Sequence, residues 1–338
     1  MSANHPPELL NTSICQLNSQ LGGVSSNTAW ELDKIVQELR NARTDWRAQR
    51  GRSREPGLRE LPSRDALQQI IRELCGALFP MRLGPQELRE ETEDYYVGHT
   101  LDAALNELLR QVQLVLIYFA RQQNTHALST QADESALKLQ ANQIVRLFAA
   151  ALPELRRTLD VDIQAAFQGD PAARSVDEVL LCYPGVLAII HHRLAHTLYQ
   201  LGVPLLARIV AELAHSLTGI DIHPGAEIGR GFFIDHGTGV VIGETAVIGE
   251  RVRIYQAVTL GAKTFPTDDK GHLQKGLPRH PIVEDEVVIY AGATVLGRIT
   301  IGKGSIIGGN VWLTRSVPPG SSITQASSRQ QVPQEADV

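Results

Sequence analysis

The sequence predicts an α+β protein with segregated halves, in which an all-α helical domain is followed by a parallel β-helix. Two long stretches, 94–122 and 135–169, repeat apolar residues at the spacing of an amphipathic helix. Beyond Asp221 the spacing changes, and apolar or small residues recur every six positions. A hexapeptide repeat is typical of a parallel β-helix, in which each short strand turns a corner and stacks on the previous coil.

The repeat runs in two blocks. In the first block one series falls at Ile222, Ile228, Ile234, Val240, Ala246, Val252 and Val258, and a second at Ile242, Ile248, Ile254 and Leu260. The second block runs from Val287 to Val317 and is out of phase with the first. Residues 262–280 cannot be threaded into the coil without losing register, so they are predicted to form an extruded loop, which often carries function.

These patterns divide the chain into four parts. Residues 1–26 are polar and are predicted to form a flexible arm, and residues 27–219 a helical domain. Residues 220–322 form the β-helix with its loop at 262–280, and residues 323–338 form a C-terminal tail.

The composition excludes several classes of protein. The chain has 338 residues and a formal net charge of −5, which gives no reason to expect nucleic acid or an anionic membrane as a partner. Cys15, Cys75 and Cys182 lie far apart, so neither a disulfide framework nor a structural zinc site is expected. No signal peptide and no apolar run of roughly 18 residues is evident, and a cytoplasmic location is expected.

A histidine inside the repeat points to chemistry. Asp221 precedes His236 by fifteen positions, which in a coil of about eighteen residues brings the two side chains close together. A carboxylate bound to one imidazole nitrogen fixes the tautomer and raises the basicity of the other nitrogen. Such a pair is suited to removing a proton from a hydroxyl nucleophile.

The same residues carry a family resemblance. The segments DIHPGAEIGRGFFIDHGTGVVIGETAVIG, VTLGA and RHPIVEDEVVIYAGATVLG resemble the serine O-acetyltransferase family of hexapeptide-repeat acyltransferases. Upstream, DIQAAFQGDPAARS and GVLAIIHHRLAHTLYQLG resemble the helical segment that precedes the repeats in that family, so the resemblance covers about 158–320. It implies a left-handed β-helix and direct transfer of acetyl from acetyl-CoA to the L-serine hydroxyl, giving O-acetyl-L-serine for cysteine biosynthesis, with no permanently bound cofactor and no metal.

The resemblance also implies roles for individual residues. His236 matches the general base that takes the proton from the serine hydroxyl and returns a proton to the CoA thiolate. Asp221 matches the residue that orients this base. Asp170 and Asp235 match acidic positions that hold the serine ammonium group.

Arg279 and His280, at the end of the extruded loop, match the pair that grips the substrate carboxylate through charge-assisted hydrogen bonds. His280 is therefore predicted to be a catalytic residue together with His236 and Asp221. Backbone groups around Gly261, Ala291 and Gly309 match the lining of a CoA groove between neighbouring subunits.

The family also suggests partners. A homotrimer, or a hexamer made of two trimers, is expected, with active sites between subunits, and cysteine is expected to compete for the serine pocket. Three features depart from the family: a longer loop before RHP, the lack of a GVPAR-type segment, and a final valine where members that dock with O-acetylserine sulfhydrylase end in isoleucine. Binding to that enzyme is therefore not expected.

Three other interpretations remain open at this point. A hexapeptide acyltransferase acting on a sugar or other small hydroxyl acceptor would also use a histidine base, but would have no reason to combine Asp170, Asp235 and Arg279. A γ-type carbonic anhydrase would need two zinc-binding histidines about five residues apart, a spacing that His223, His236 and His280 do not show. The third is a scaffold without catalytic activity.

Overall fold

The computed structural model describes residues 30–49, 61–123, 131–264, 266–269 and 271–325. The chain divides into two compact units, Met1–Arg59 and Glu60–Val338. The described part of the first unit is an amphipathic helix, α1 (Leu32–Gln49). The predicted arm and all but the first three residues of the predicted tail lie outside the described residues.

The second unit begins with helices. They are α2 (Arg64–Leu78), α3 (Pro80–Leu83), a 3-10 turn (Glu90–Thr92), α4 (Glu93–Gln123), α5 (Gln131–Gly169), α6 (Val176–Cys182), α7 (Pro184–Gln200) and α8 (Pro204–Thr218). Helix α2 packs on α4, α4 on α5, and α7 on α8. Ser63 caps α2 and Ser175 caps α6, because each hydroxyl accepts a hydrogen bond from a first-turn amide. Among the described helices, none has the length and hydrophobicity needed to cross a membrane.

Short strands then follow on every side of a triangular coil. They are β1 (Asp221–Ile222), β2 (Glu227–Ile228), β3 (Phe233–Ile234), β4 (Val241–Ile242), β5 (Val247–Ile248), β6 (Arg253–Ile254), β7 (Thr259–Gly261), β8 (Ile282–Val283), β9 (Val288–Ile289), β10 (Thr294–Leu296), β11 (Thr300–Ile301), β12 (Ile306–Ile307), β13 (Trp312–Leu313) and β14 (Ser322–Ile323).

These strands form three parallel sheets, which are the faces of a prism. Face A contains β1, β4, β7, β10 and β13, face B contains β2, β5, β8 and β11, and face C contains β3, β6, β9, β12 and β14. The second residue of almost every strand points inward, so isoleucines, valines and leucines stack in columns with almost no exposed surface. The chain leaves the coil after Gly261 and rejoins it at Ile282.

One coil is longer than the sequence pattern predicts. The expected step of eighteen residues applies from Val241 to Thr259, but Asp221 pairs with Val241, twenty positions later. The prediction of an eighteen-residue first coil is therefore wrong. The corner between β3 and β4 holds six residues, 235–240, whereas the corner between β6 and β7 holds four, 255–258. Ile234 consequently stacks on Ile254, and Val240 is not its equivalent in the repeat.

A buried ion pair joins the helices to the first coil. Arg193 on α7 and Asp162 on α5 form a salt bridge with a nitrogen–oxygen distance of 3.0 Å, and both side chains are at least nine-tenths buried. Arg193 also donates to backbone carbonyls, and Asp162 accepts from backbone amides, of residues 228–232. Helices α5 and α7 are thereby fixed against the corner that leads into β3.

Candidate active site

His236 lies on an enlarged corner of the prism. We call the corners that follow the strands of face C the His236 edge; they comprise residues 235–240, 255–258, 290–293 and 308–311. The two extra residues of the first corner carry His236 outward, so that 70% of its side chain is exposed. Its backbone has a φ of 59°, in the left-handed region that is uncommon for residues other than glycine. A strained, exposed histidine on a rigid coil is a candidate reacting group.

Asp235 provides the carboxylate nearest to this histidine. Its Oδ1 lies 3.8 Å from Nδ1 of His236, and its side chain is 9% exposed. Its Oδ2 accepts a hydrogen bond of 2.5 Å from Nη2 of Arg253. The buried carboxylate therefore lies between a guanidinium and the imidazole.

Asp170 lies on the same side of the molecule, in the turn that follows α5. Tyr183 donates a hydrogen bond from its hydroxyl to Oδ2, and the amide of Ala172 donates to Oδ1. The hydrogen bond from Tyr183 has the largest effect on the pKa of Asp170 and, with the one from Ala172, holds it below its ordinary value. The charges of Arg253 and His236 act in the same direction. The pKa of Tyr183 is raised to about 12, mainly by its hydrogen bond to Asp170. Asp170 is thus an anion and Tyr183 a neutral donor.

Arg279 lies on a different edge. We call the corners between faces A and B the Arg279 edge; its described residues are 223–226, 243–246, 262–264, 266–269, 271–281 and 297–299. Nη2 of Arg279 donates to Oε2 of Glu244 at 2.6 Å, and the Tyr199 hydroxyl donates to Oε1 of Glu244 at 3.1 Å. Glu244 and α7 therefore fix the direction of the guanidinium.

His280 is buried beside Arg279 and held as a neutral ring. The amide of Thr245 donates to its Nδ1 at 3.1 Å, so Nδ1 is the acceptor and the proton of the neutral ring is on Nε2. Burial, and then the charge of Arg279, lower the pKa of His280 to about 4. The ring packs so closely on Gly243 that an added Cβ there would lie 2.0 Å from Nε2. His280 can thus donate a hydrogen bond from Nε2 at neutral pH.

Asp221 lies near different partners from the one predicted. Its carboxylate, Oε of Glu212 and a ring nitrogen of His215 all lie within 4.8 Å of one another. In the part of the chain that the structure describes, neither a hydrogen bond nor an ion pair links Asp221 to His236. The extra two residues of the first coil remove the one-coil relationship on which the expected contact was based.

The three residues predicted to line a CoA groove fall at two places. Ala291 and Gly309 lie on the His236 edge, where the amide of Asn310 donates to the Ala291 carbonyl at 2.9 Å. An added Cβ on Gly309 would lie 3.2 Å from that carbonyl oxygen, so the two coils approach closely. Gly261 ends β7, next to the Arg279 edge.

Within one chain the predicted site residues therefore form two groups. Asp170, Asp235 and His236 come together at the His236 edge, and Arg279 with His280 at the Arg279 edge.

Sequence reasoning missed four residues of these groups. Arg253 and Tyr183 belong to the first group, and Glu244 and Tyr199 to the second. The strand register pairs Arg253 with Phe233, which lies two residues before Asp235. A sequence analysis that used the twenty-residue register of this coil would have indicated that Arg253 lies near Asp235. The contact between Tyr183 and Asp170 joins two turns of the helical region, and the contact between Tyr199 and Glu244 crosses from α7 to the coil, so no spacing in the sequence reveals either contact.

A triangular coil of hexapeptide repeats with a histidine and carboxylates on its edge defines a hexapeptide-repeat acyltransferase. The family profile described as "Bacterial transferase hexapeptide (six repeats)" matches residues 280–315. The plasmid serine acetyltransferase of Synechococcus elongatus is 58% identical over 301 residues, which is 89% of this chain and 92% of that protein. The chain belongs to the serine acetyltransferase family, a family of acyltransferase enzymes that use acetyl-CoA as co-substrate.

A second curated protein and a solved structure support the same family assignment. The serine acetyltransferase of Mycobacterium tuberculosis is 54% identical over 162 residues, covering 48% of this chain and 67% of that protein. The crystal structure of Entamoeba histolytica serine acetyltransferase 1 in complex with L-cysteine matches with a TM-score of 0.63 and 39% identity, over 76% of this chain and 86% of that chain. The fold class is therefore a helical N-terminal region followed by a left-handed parallel β-helix.

Proposed function

We propose that this enzyme transfers acetyl from acetyl-CoA to the hydroxyl of L-serine, giving O-acetyl-L-serine for cysteine biosynthesis, and that His236 is the general base. The observation that carries this assignment is the set of charges around His236. Asp170 and Asp235 provide two anions beside the base, which suits an ammonium group next to the reacting hydroxyl.

Direct transfer fits the residues present. His236 accepts the proton of the serine hydroxyl, the resulting oxygen attacks the thioester carbonyl, and the C–S bond breaks as the tetrahedral intermediate collapses. The protonated His236 then returns a proton to the departing thiolate, so that the imidazole ends neutral. The transfer needs no acyl-enzyme.

Arg279 and His280 supply the cationic and neutral donors for the substrate carboxylate. Arg279 is already held by Glu244, so its remaining N–H groups have a fixed direction. His280 donates from Nε2 because Nδ1 is occupied by Thr245. Two such donors suit the planar carboxylate of an amino acid. A neutral sugar has no carboxylate for them to bind.

A complete site then requires two copies of the chain. The base and the ammonium-binding carboxylates lie on the His236 edge, whereas the carboxylate-binding pair lies on the Arg279 edge. In a homotrimer, or in a hexamer of two trimers, the His236 edge of one prism meets the Arg279 edge of the next, and each interface forms one site. Because the coil is rigid, this arrangement fixes the distance between the two groups.

Asp221 keeps its proposed role as the orienting carboxylate only if its side chain turns. It begins face A, next to the His236 edge, but its carboxylate lies beside Glu212 and His215. Rotation of the Asp221 side chain away from these partners and toward His236 is the movement that the role requires.

Acetyl-CoA is proposed to lie along the His236 edge, which also carries the small residues Ala291 and Gly309. Gly261 contributes from the other side of face A. Free cysteine, which has the same ammonium and carboxylate groups as serine, competes for the serine pocket. The cytoplasmic location is likewise part of the proposal.

The test is a thiol-release assay with acetyl-CoA and L-serine, with homoserine and a sugar acceptor as controls. Release of CoA with L-serine, well above the release with either control, is the expected result. Equal or faster release with the sugar would favour the alternative acceptor class. No release above background with L-serine would overturn the proposed function.

A further inference from the structure

Arg253 is the one cation that touches both proposed ammonium-binding segments in the described part of the chain. Its Nη2 donates to Oδ2 of Asp235 at 2.5 Å, and its Nη1 donates to the carbonyl of Gly169 at 2.5 Å. Gly169 directly precedes Asp170. A single guanidinium thus connects the end of α5 to the enlarged corner of the coil.

Aromatic rings hold this guanidinium in place. Its central carbon lies 5.0 Å from the centroid of the Phe233 ring and 4.7 Å from that of Tyr255. Such contacts fix the plane of an arginine and suit it to contact two acceptors at once. Nε of Arg253 is buried without a hydrogen-bond partner among the described residues, so the arrangement does not maximise the hydrogen bonds of Arg253 itself.

We propose that Arg253 is a positioning residue for acetyl transfer, which holds the Gly169–Asp170 turn and Asp235 at a fixed separation beside His236 and balances the charge of Asp235 next to the base. The proposal rests on the proposed function and deepens it. Arg253 itself touches neither the reacting hydroxyl nor the thioester. It acts through the two carboxylates.

The charge balance follows from the groups that face His236. These are Asp235 on the same corner, Asp170 and its donor Tyr183 from the helical region, and Arg253 with Tyr255 from the next coil. Removing the guanidinium leaves Asp235 without its counterion, 3.8 Å from the imidazole. An unbalanced carboxylate at that distance stabilises the protonated ring, which is unable to act as a base.

Kinetics of Arg253→Met and Arg253→Lys test the positioning role. The methionine variant is expected to raise KM for serine about tenfold and leave KM for acetyl-CoA within about twofold, because only the ammonium-binding segments move. Lysine, with one point charge, holds one acceptor rather than two and restores only part of the loss. Arg251→Met is the matched control, since Arg251 lies two residues away and forms exposed ion pairs with Glu250 and Glu286.

A second measurement does not depend on activity. In an NMR titration of the histidine ring protons, with the His236 signal identified from its loss in His236→Gln, the midpoint is expected to be higher in Arg253→Met than in the wild type and to stay unchanged in Arg251→Met. If Arg253→Met does not fold, Arg253→Lys is titrated, with a smaller rise expected. In the pH profile of kcat/KM for serine, the acid limb is also expected to move to higher pH in Arg253→Met.

The outcomes separate the two proposals. A wild-type enzyme that does not acetylate serine ends the proposed function, yet the titration still tests whether Arg253 balances Asp235. The other outcome is that the wild-type enzyme acetylates serine but Arg253→Met has the same KM values and the same His236 midpoint as Arg251→Met. That result would overturn the Arg253 proposal and leave the proposed function intact.

Discussion

Oδ1 of Asp235 lies 3.8 Å from Nδ1 of His236, which makes Asp235 the carboxylate nearest to the proposed base. This carboxylate is buried, while the imidazole beside it is mostly exposed at the enlarged corner. Asp235 can therefore act on His236 through the ring nitrogen that faces the protein, and the other ring nitrogen remains available to a substrate. The relationship leads to the first prediction.

Asp235→Asn is expected to lower kcat/KM for serine by about 10- to 100-fold, because it removes both an anion from the ammonium site and the carboxylate beside the base. KM for acetyl-CoA is expected to stay unchanged. Steady-state kinetics with each substrate varied in turn measure both quantities. A loss confined to acetyl-CoA binding would contradict this assignment.

The proposal that each site is shared between two subunits predicts complementation. His236→Ala and Arg279→Ala are each expected to be inactive alone, but co-expression produces mixed oligomers in which some interfaces combine an intact His236 edge with an intact Arg279 edge. With random assembly, half of the chains supply each edge, so about a quarter of the wild-type rate is expected. Mixing the two purified variants without subunit exchange is the control. Co-expressed variants that stay inactive would show that each chain holds its own site.

Two histidines with lowered pKa values predict that stability falls in mild acid. The pKa values of His223 and His280 are lowered from 6.5 to about 4, mainly by burial. Between these pH values the unfolded chain binds more protons than the folded one, so stability is complete above pH 6.5 and decreases as the pH falls.

His223→Asn tests this pH dependence, because the asparagine side-chain oxygen takes the position of Nδ1 and can still accept the hydrogen bond from the amide of Gly225. The drop in the free energy of unfolding between pH 7.5 and pH 5 is expected to be smaller by up to about 2 kcal/mol in the variant. Urea unfolding at the two pH values measures it. An equal drop in both proteins would mean that His223 does not contribute.

The buried pair between Asp162 and Arg193 predicts a large loss of stability when it is broken. Asp162→Asn leaves the guanidinium buried without its counterion and is expected to lower the free energy of unfolding by about 3–5 kcal/mol. Glu154→Gln is the matched control, since Glu154 also connects α5 to the coil, through Arg230, but in an exposed pair. Its expected cost is below about 1 kcal/mol. Similar losses in both variants would contradict the role of burial.

The sequence predicts the interior of the coil because burial imposes a strict period. The residues that the second block repeats, such as Ile289, Val295 and Ile301, are completely buried in the structure. The sequence pattern does not reveal the enlarged corner at 235–240. Ile234 and Val240 are still six positions apart, although the two extra residues have changed the register of the strands.

The candidate site is predictable only in part, for a related reason. Arg279 and His280 are adjacent in the sequence, and so are Asp235 and His236, so each pair remains together in any fold. The contacts of Asp221 with Glu212 and His215 depend on how α8 packs against β1, which no repeat in the sequence specifies. Arg253 reaches Gly169 across 84 positions, so only the packed structure reveals this contact.

The most direct test of the central claim is kcat/KM for L-serine in His236→Ala, measured against wild type by CoA release. A positioned base contributes about 10²- to 10⁴-fold, so a loss of at least about 10²-fold is predicted, with the fold retained by circular dichroism. An unchanged rate in the folded variant would contradict the account and would leave this edge of the prism without a catalytic role.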